Sequence, residues 1–233
     1  MINPEQKPQL NSQITRQDRD KKLSDVKLSY LKKYLQQYDI LDVGAGRCYY
    51  SDWIAEHYPA AHITALDHIP LDVSNLPKEI SYHVTDLEKP LYLADKTFNS
   101  ILAFDIIEHI SHEEQLVLDL FRLCKPGGVL IGSVPHDNDK FLPAYNLTFN
   151  HRRDMTHKRY YIPETLRQAL TRAGFSDITI ELQGGASPHV IAEFFPQASQ
   201  LLVKKCIGLL RKIGIINTKI LASDLFFVAH KAL

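Results

Sequence analysis

Gly44 and Gly46 stand one residue apart, directly after the apolar run Ile40-Leu41-Asp42-Val43 and ahead of Arg47 to Glu56, which can start a helix. Glycine has no Cβ, so such a corner can turn tightly and let backbone come close to a ligand. The helix that follows offers free N–H groups. Strand, glycine turn and helix in that order form a nucleotide-binding corner; the same residues would also serve as a plain strand-to-helix connection. Downstream, carboxylates recur at Asp67, Asp86 and Asp105, and Glu108-His109 follow the last of them. A carboxylate there can accept hydrogen bonds from ligand hydroxyl or amino groups. Histidine is the default general base, and His109, His136, His151 and His157 are available. His151, Arg152, Arg153, His157, Lys158 and Arg159 form a basic run. It could meet a carboxylate, a phosphate or a lipid headgroup, or be a solvated loop face.

The elements that must position these residues follow from apolar patterning. Residues 1–14 are polar, carry Pro4 and Pro8, and read as a flexible arm. Leu23, Val26, Leu28, Leu31 and Leu35 predict a helix over Thr15–Tyr38. Strands are predicted at Ile40–Val43, Ala61–Leu66, Ile80–Val84, Phe98–Phe104, Val129–Val134, Ile178–Leu182 and Phe226–Ala229. A helix from Glu113 to Cys124 stops at Lys125-Pro126-Gly127-Gly128, and another opens at Pro163 and is stopped by Gly174. Strands alternating with helices predict a parallel sheet with helices on both faces. Ligands in such sheets lie beyond the carboxyl ends of the strands, where the acids fall. Asp137 to Thr156 is polar and irregular, in the manner of a lid, a binding loop or a disordered segment.

Gly184 to Ser223 is too long for a hairpin and reads as an inserted helical segment. Within it, Ser199 to Ile213 predicts a basic amphipathic helix with Lys204, Lys205, Arg211 and Lys212 on one face. Such a helix can lie on an anionic membrane surface, or pack on its own domain with its lysines in water.

A chain of 233 residues fits one large domain, here 15–233 with the insertion at about 184–223. Hydrophobic residues make up 45%, and Lys+Arg equals Asp+Glu at 27 each, which gives no whole-chain argument for nucleic-acid binding. Three widely spaced cysteines, Cys48, Cys124 and Cys206, suggest a reducing compartment. No apolar leader or membrane-length run is evident, so a cytoplasmic protein is expected.

Taken together, Ile40 to Gly46, Asp67, Thr85-Asp86-Leu87, Phe98 to Ile110, Leu123 to Gly128 and Tyr161 to Phe175 resemble the class I S-adenosylmethionine-dependent methyltransferases, of the type 11 or 23 group. The resemblance implies a Rossmann-like three-layer α/β sandwich with a seven-stranded, mostly parallel sheet and an antiparallel last strand. It implies S-adenosylmethionine as cofactor and Asp42, Gly44, Gly46, Asp67, His68, Asp86, Leu87 and Phe104 as its contacts. Asp42 would favour the cationic sulfonium at short range, Asp67 would accept from the ribose hydroxyls, and Asp86 from the adenine amino group, with Leu87 as an apolar wall and His68 at the border. His109, His157 and His136 are the candidate bases for an oxygen acceptor on a small molecule or a sugar or lipid precursor. In the related quinone-biosynthesis O-methyltransferases a Glu-x-x-Glu-His segment binds a divalent metal; Asp105, Glu108 and His109 stand in those places here. Glu-His at this point is also common in metal-independent relatives. The family's third glycine would fall at Cys48. Two rivals remain: a nicotinamide-dependent Rossmann oxidoreductase, disfavoured by Asp42 and by Tyr49 in place of a glycine, and a scaffold that keeps the cofactor without turnover.

Overall fold

The computed structural model describes residues 19–137, 152, 154–184, 192, 195–213 and 222–233, with the side chain of Arg211 outside the described set. The elements run α1 (Asp25–Tyr34), β1 (Asp39–Val43), α2 (Tyr49–His57), β2 (His62–Asp67), β3 (Ile80–Val84), β4 (Phe98–Phe104), a 3₁₀ turn (Ile107–His109), α3 (Glu113–Leu123), β5 (Cys124–Pro135), α4 (Pro163–Ala173), β6 (Ser176–Gln183), a second 3₁₀ turn (Gln197–Ser199), α5 (Gln200–Lys212) and β7 (Asp224–His230). One seven-stranded sheet has the order β3-β2-β1-β4-β5-β7-β6. β1 to β5 pair in parallel, and β7 runs antiparallel between β5 and β6. This is the expected α/β sandwich.

Alternation along each central strand sends side chains to two apolar layers. Leu41, Val43, Ile101 and Ala103 enter the layer closed by α3 and α4, which contribute Leu116, Leu120, Leu166 and Leu170. Ile40, Leu102 and Phe104 enter the layer closed by α1 and α2, with Leu31, Trp53 and Ile54. Each fully buried Leu or Ile stabilises the fold by roughly 1.5–3 kcal/mol. Asp42 lies on the α1/α2 side of β1, one step out of phase with Leu41.

Two boundaries differ from the sequence reading. The long first helix is interrupted: residues 21–24 leave helical geometry, and Ser24 becomes the N-cap of α1, its hydroxyl accepting from the Lys27 N–H at 3.5 Å. Arg19 ahead of that break is buried and pairs with Asp52 and Glu56 of α2 at 2.8 and 2.7 Å, which ties the entering chain to α2. The Lys125-Pro126-Gly127-Gly128 breaker is contained within β5, whose pairing shifts register between Phe98 and Ser100. A bulge lets the strand absorb this turn-prone tetrad.

The insertion leaves β6 at Gln183 and re-enters at β7, Asp224, at the edge of the sheet where β1, β2 and β4 end. The expected arm at 1–14 and most of the loop at 137–156 lie outside the described residues.

Candidate functional site

At the end of β1 the backbone is held by β2: the N–H groups of Gly44 and Ala45 both donate to the Leu66 carbonyl, at 2.9 and 3.0 Å. Gly44 has φ +73°, and a Cβ there would stand 2.7 Å from Ile106 Cγ1. Gly46 has φ +54°, but a Cβ there would meet nothing within 4 Å, so the corner is open on that side. Its N–H donates to Asp67 Oδ2 at 2.8 Å, linking the glycine turn to the end of β2. Cys48 takes the place where a third glycine was expected, and it adopts a left-handed conformation, φ 60°, as the N-cap residue of α2. Its thiol is fully buried, and burial pushes its pKa well up. The side chain thus fills core volume while the backbone does what a glycine would do.

Asp42 is buried and accepts from Ser51 Oγ at 2.6 Å. Burial raises its pKa to about 6, against the Ser51 hydrogen bond and the nearby Lys27 cation. Asp67 is buried too, and its second oxygen accepts from the Ile69 N–H at 3.0 Å. His68 is largely exposed, with Nδ1 3.3 Å from Asp67 Oδ1. Asp86 lines a cleft of 390 Å³ with His83, Thr85 and Tyr92; it accepts from the Glu88 N–H and pairs with Lys89 at 3.0 Å. That pairing holds its carboxyl below the usual range. Leu87 is 4% exposed and belongs to the core layer with Leu91 and Leu116. Phe104 closes β4 and tilts against Tyr50 at 5.4 Å and Phe226 at 6.4 Å, an aromatic bed at the mouth of the corner. Buried carboxylates beside an open left-handed glycine fit a ribose and a cationic sulfonium; a pyrophosphate would be repelled by Asp42 and Asp67.

Beyond β4, Asp105 has φ 52° and is fixed from three sides. Its N–H donates to the Ser133 carbonyl at 2.9 Å, its Oδ1 accepts from Ser133 Oγ, and its Oδ2 pairs with Lys27 at 2.5 Å. Lys27 comes from α1 and lies 5.2 Å from the Phe104 ring centroid. Glu108 is buried, and among the described residues its Oε2 has no hydrogen-bond partner; burial first and Asp105 second raise its pKa to about 8.

Beside Glu108 the rings of His109 and His157 meet edge to face, 4.6 Å between centroids. His109 Nδ1 lies 2.9 Å from Thr156 Oγ1. The His157 side chain is 7% exposed, with Nε2 3.7 Å from Asp154 Oδ2. Burial, and then His109, lower the His157 pKa. One potential ligand atom from each of Glu108, His109 and His157 falls within 4.8 Å of the others, so these three could hold a divalent cation. His157 thereby takes the part expected of Asp105, whose carboxylate is committed to Lys27 and Ser133.

His136 is not part of this group. It is buried, and its Nδ1 lies 3.0 Å from the Ala222 carbonyl, where it joins β5 to the chain entering β7. His151 and Arg153 of the basic run lie outside the described residues; Arg152 pairs with Asp137 and lies over the Tyr160 ring, and Arg159 pairs with Glu113. The sequence reading missed Lys27, Tyr50 and Ser133. Their only local signals were positions on helix or strand faces, and their meeting is tertiary.

A family model described as a methyltransferase domain matches residues 15–180. A Mycolicibacterium smegmatis protein named as a probable S-adenosylmethionine-dependent methyltransferase is 30% identical over 145 residues, covering 59% of this chain and 51% of its own. A ubiquinone biosynthesis O-methyltransferase of Rickettsia akari is 24% identical over 168 residues, covering 67% of this chain and 65% of its own. The chain therefore spans about half the length of the first relative and under two thirds of the second. Among solved structures, an S-adenosylmethionine-dependent methyltransferase from Archaeoglobus fulgidus superposes with a TM-score of 0.61 at 17% identity, over 91% of this chain and 94% of the other. The fold, the glycine corner and the match over 15–180 agree: this chain belongs to the methyltransferase domain family and carries the fold of the class I S-adenosylmethionine-dependent methyltransferases.

Proposed function

We propose that this protein transfers a methyl group from S-adenosylmethionine to a hydroxyl oxygen of a small molecule or of a sugar or lipid precursor, with the His109–His157 pair taking the hydroxyl proton. The observation that carries the acceptor side is the 4.6 Å contact of the two imidazoles beside Glu108, at the ligand edge of the sheet. The O-methyltransferase among its relatives supports oxygen as the acceptor atom. Bound at the glycine corner, the cofactor supplies an electrophilic methyl group on a sulfonium. Gly44, Gly46, Asp67, Asp86 and Phe104 are the residues that would hold it, with Asp42 as the buried negative charge behind it.

This chain's own work is then alignment and proton removal. His157, with its pKa lowered, is neutral at neutral pH and can accept a proton. Thr156 fixes the orientation of the His109 ring. Glu108, raised to about 8, is held uncharged near neutral pH, so its burial needs no counter-ion. We place the reaction in the cytoplasm, in keeping with three free thiols. Among the described residues no helix is long and apolar enough to cross a membrane.

The test has two stages. Thermal shift should show stabilisation by S-adenosylhomocysteine and none by NAD; the reverse would give the oxidoreductase reading. Radiolabelled methyl transfer to a panel of hydroxyl acceptors should then proceed, and His157→Ala and His109→Ala should lower kcat by about 10²-fold or more while leaving cofactor affinity intact. Cofactor binding with no transfer to any acceptor would favour the scaffold reading.

A second reading rests on the same three side chains and the unpartnered Glu108 Oε2: a divalent cation that positions the acceptor oxygen. Turnover lost on chelation and restored by Mg²⁺, Mn²⁺ or Zn²⁺ would move the histidines from base to ligand. Turnover untouched by chelators would keep them as bases.

A further inference from the structure

Helix α5 does not pack as a core helix does. Leu201 is 66% exposed, Leu202 65%, Leu209 59% and Ile213 57%. None of the helix's described side chains is buried. At 100° per residue, Leu202, Cys206, Leu209 and Ile213 fall within one narrow stripe, the i, i+4, i+7, i+11 spacing of a single helix face. All four are exposed. Val203, Ile207 and Leu210, on the neighbouring arc, are half-buried. Lys205 and Lys212 border the exposed stripe on its other side, and Lys204 and Arg211 follow them round the helix. Phe195, just before the helix, is another exposed apolar side chain at 46%.

Charge decides what fits this face. Between Phe194 and Ser223 the sequence carries Lys204, Lys205, Arg211, Lys212 and Lys219, and no Asp or Glu. The whole chain has equal numbers of acids and bases, so this is a local segregation of charge. A second copy of the helix laid on the first would bury the apolar stripe but set lysines beside lysines with no carboxylate between them. A surface of lipid takes both halves of the pattern: leucines enter the acyl boundary, and lysines extend to the headgroups.

We propose that α5 seats this protein on an anionic phospholipid surface, with Leu202, Cys206, Leu209 and Ile213 in the acyl boundary and Lys205 and Lys212 on the headgroups. The insertion that carries the helix leaves β6 and re-enters at β7 on the edge where the parallel strands end, the edge that also carries the candidate site. The contact needs neither cofactor nor acceptor.

Cosedimentation of the full chain with vesicles of phosphatidylcholine mixed with phosphatidylglycerol tests this. The wild type should pellet with the mixed vesicles, lose binding as salt is raised, and stay in solution with pure phosphatidylcholine. The combined Lys204→Glu, Lys205→Glu and Lys212→Glu variant should bind more than about tenfold less. Leu202→Ser with Leu209→Ser and Ile213→Ser should lose binding too, with an unchanged melting temperature, since none of these side chains is in the core. The proposal is overturned if the wild type pellets with neither vesicle, if binding ignores salt and charge reversal, or if light scattering shows a wild-type dimer that the serine variant dissociates.

Discussion

Lys27 Nζ lies 2.5 Å from Asp105 Oδ2, across 78 residues of sequence, and above the rings of Phe104 and Tyr50 at 5.2 and 5.5 Å. The same ammonium opposes the burial-driven rise in the pKa of Asp42, Glu108 and Asp224. One cation from α1 therefore acts on four carboxyl groups, ion-paired with Asp105 and lowering the pKa of the other three. A sulfonium bound there would share that field. S-adenosylmethionine and S-adenosylhomocysteine differ by one methyl and one positive charge, so their relative affinity reads the field directly. Lys27→Met should shift the ratio towards S-adenosylmethionine by at least about threefold, measured by calorimetry at low salt. An unchanged ratio would show that Lys27 does not act on the cofactor site.

Asp42 gives a pH signature. Its pKa rises from 3.8 to about 6 on folding because it is buried. The folded state thus holds a proton that the unfolded state has released, and the associated stability is fully present below 3.8 and lost as pH rises through about 6. Asp42→Asn removes the titration while keeping an oxygen for Ser51. Its melting temperature should fall less than the wild type's between pH 3.8 and 6, and its cofactor affinity should be lower at neutral pH.

The two glycines of the corner separate folding from binding. Gly44→Ala puts a Cβ 2.7 Å from Ile106 in a left-handed backbone, so it should destabilise by about 2 kcal/mol or more and also lose cofactor binding. Gly46→Ala adds only the left-handed penalty of about 1–2 kcal/mol, since nothing lies within 4 Å. It should fold, yet lose cofactor affinity because its methyl occupies the open side of the corner. Denaturant melts and calorimetry on the pair check this; normal affinity in Gly46→Ala would place the ligand elsewhere.

Arg19 is buried with Asp52 and Glu56 partly open to water. Arg19→Ala removes the cation that Asp52 and Glu56 share and cuts the tie between the chain ahead of α1 and α2. A loss of about 2 kcal/mol, or a melting point lower by about 4–8 °C, should follow, discounted from a fully buried pair because the partners are half wet. A change below about 1 °C would mean that the pairs are solvent-screened.

Much of the fold was readable because aromatic and β-branched residues mark the strands between turn signals: Phe98–Phe104, buried but for Asn99, and the edge strand Ile80–Val84, of which only Ile80 is buried, both match residue for residue. The break at Ser24 and the start of β5 at Cys124 were not, since a cap and a bulge depend on partners distant in sequence. In the site, the glycine corner was legible because positive φ is a local demand. The partners of Asp105 were not, because Lys27 and Ser133 carry no mark of their neighbours. His136 followed a predicted strand end as His109 did, but its ring is turned to the Ala222 carbonyl and away from the other two.

Cys48, left-handed and sealed between the glycine corner and α2, gives the protein an internal clock. Cys206 lies on the surface and would be consumed by an alkylating reagent at once, whereas Cys48 is out of reach until the corner opens. The two thiols sit in one chain and share one reagent, so the Cys206 rate calibrates the Cys48 rate. Peptide mass spectrometry over time would then report how often the corner breathes. A ligand that settles against Gly46 would be visible as a slowing of Cys48 alone, with no need to know the acceptor or to see a turnover.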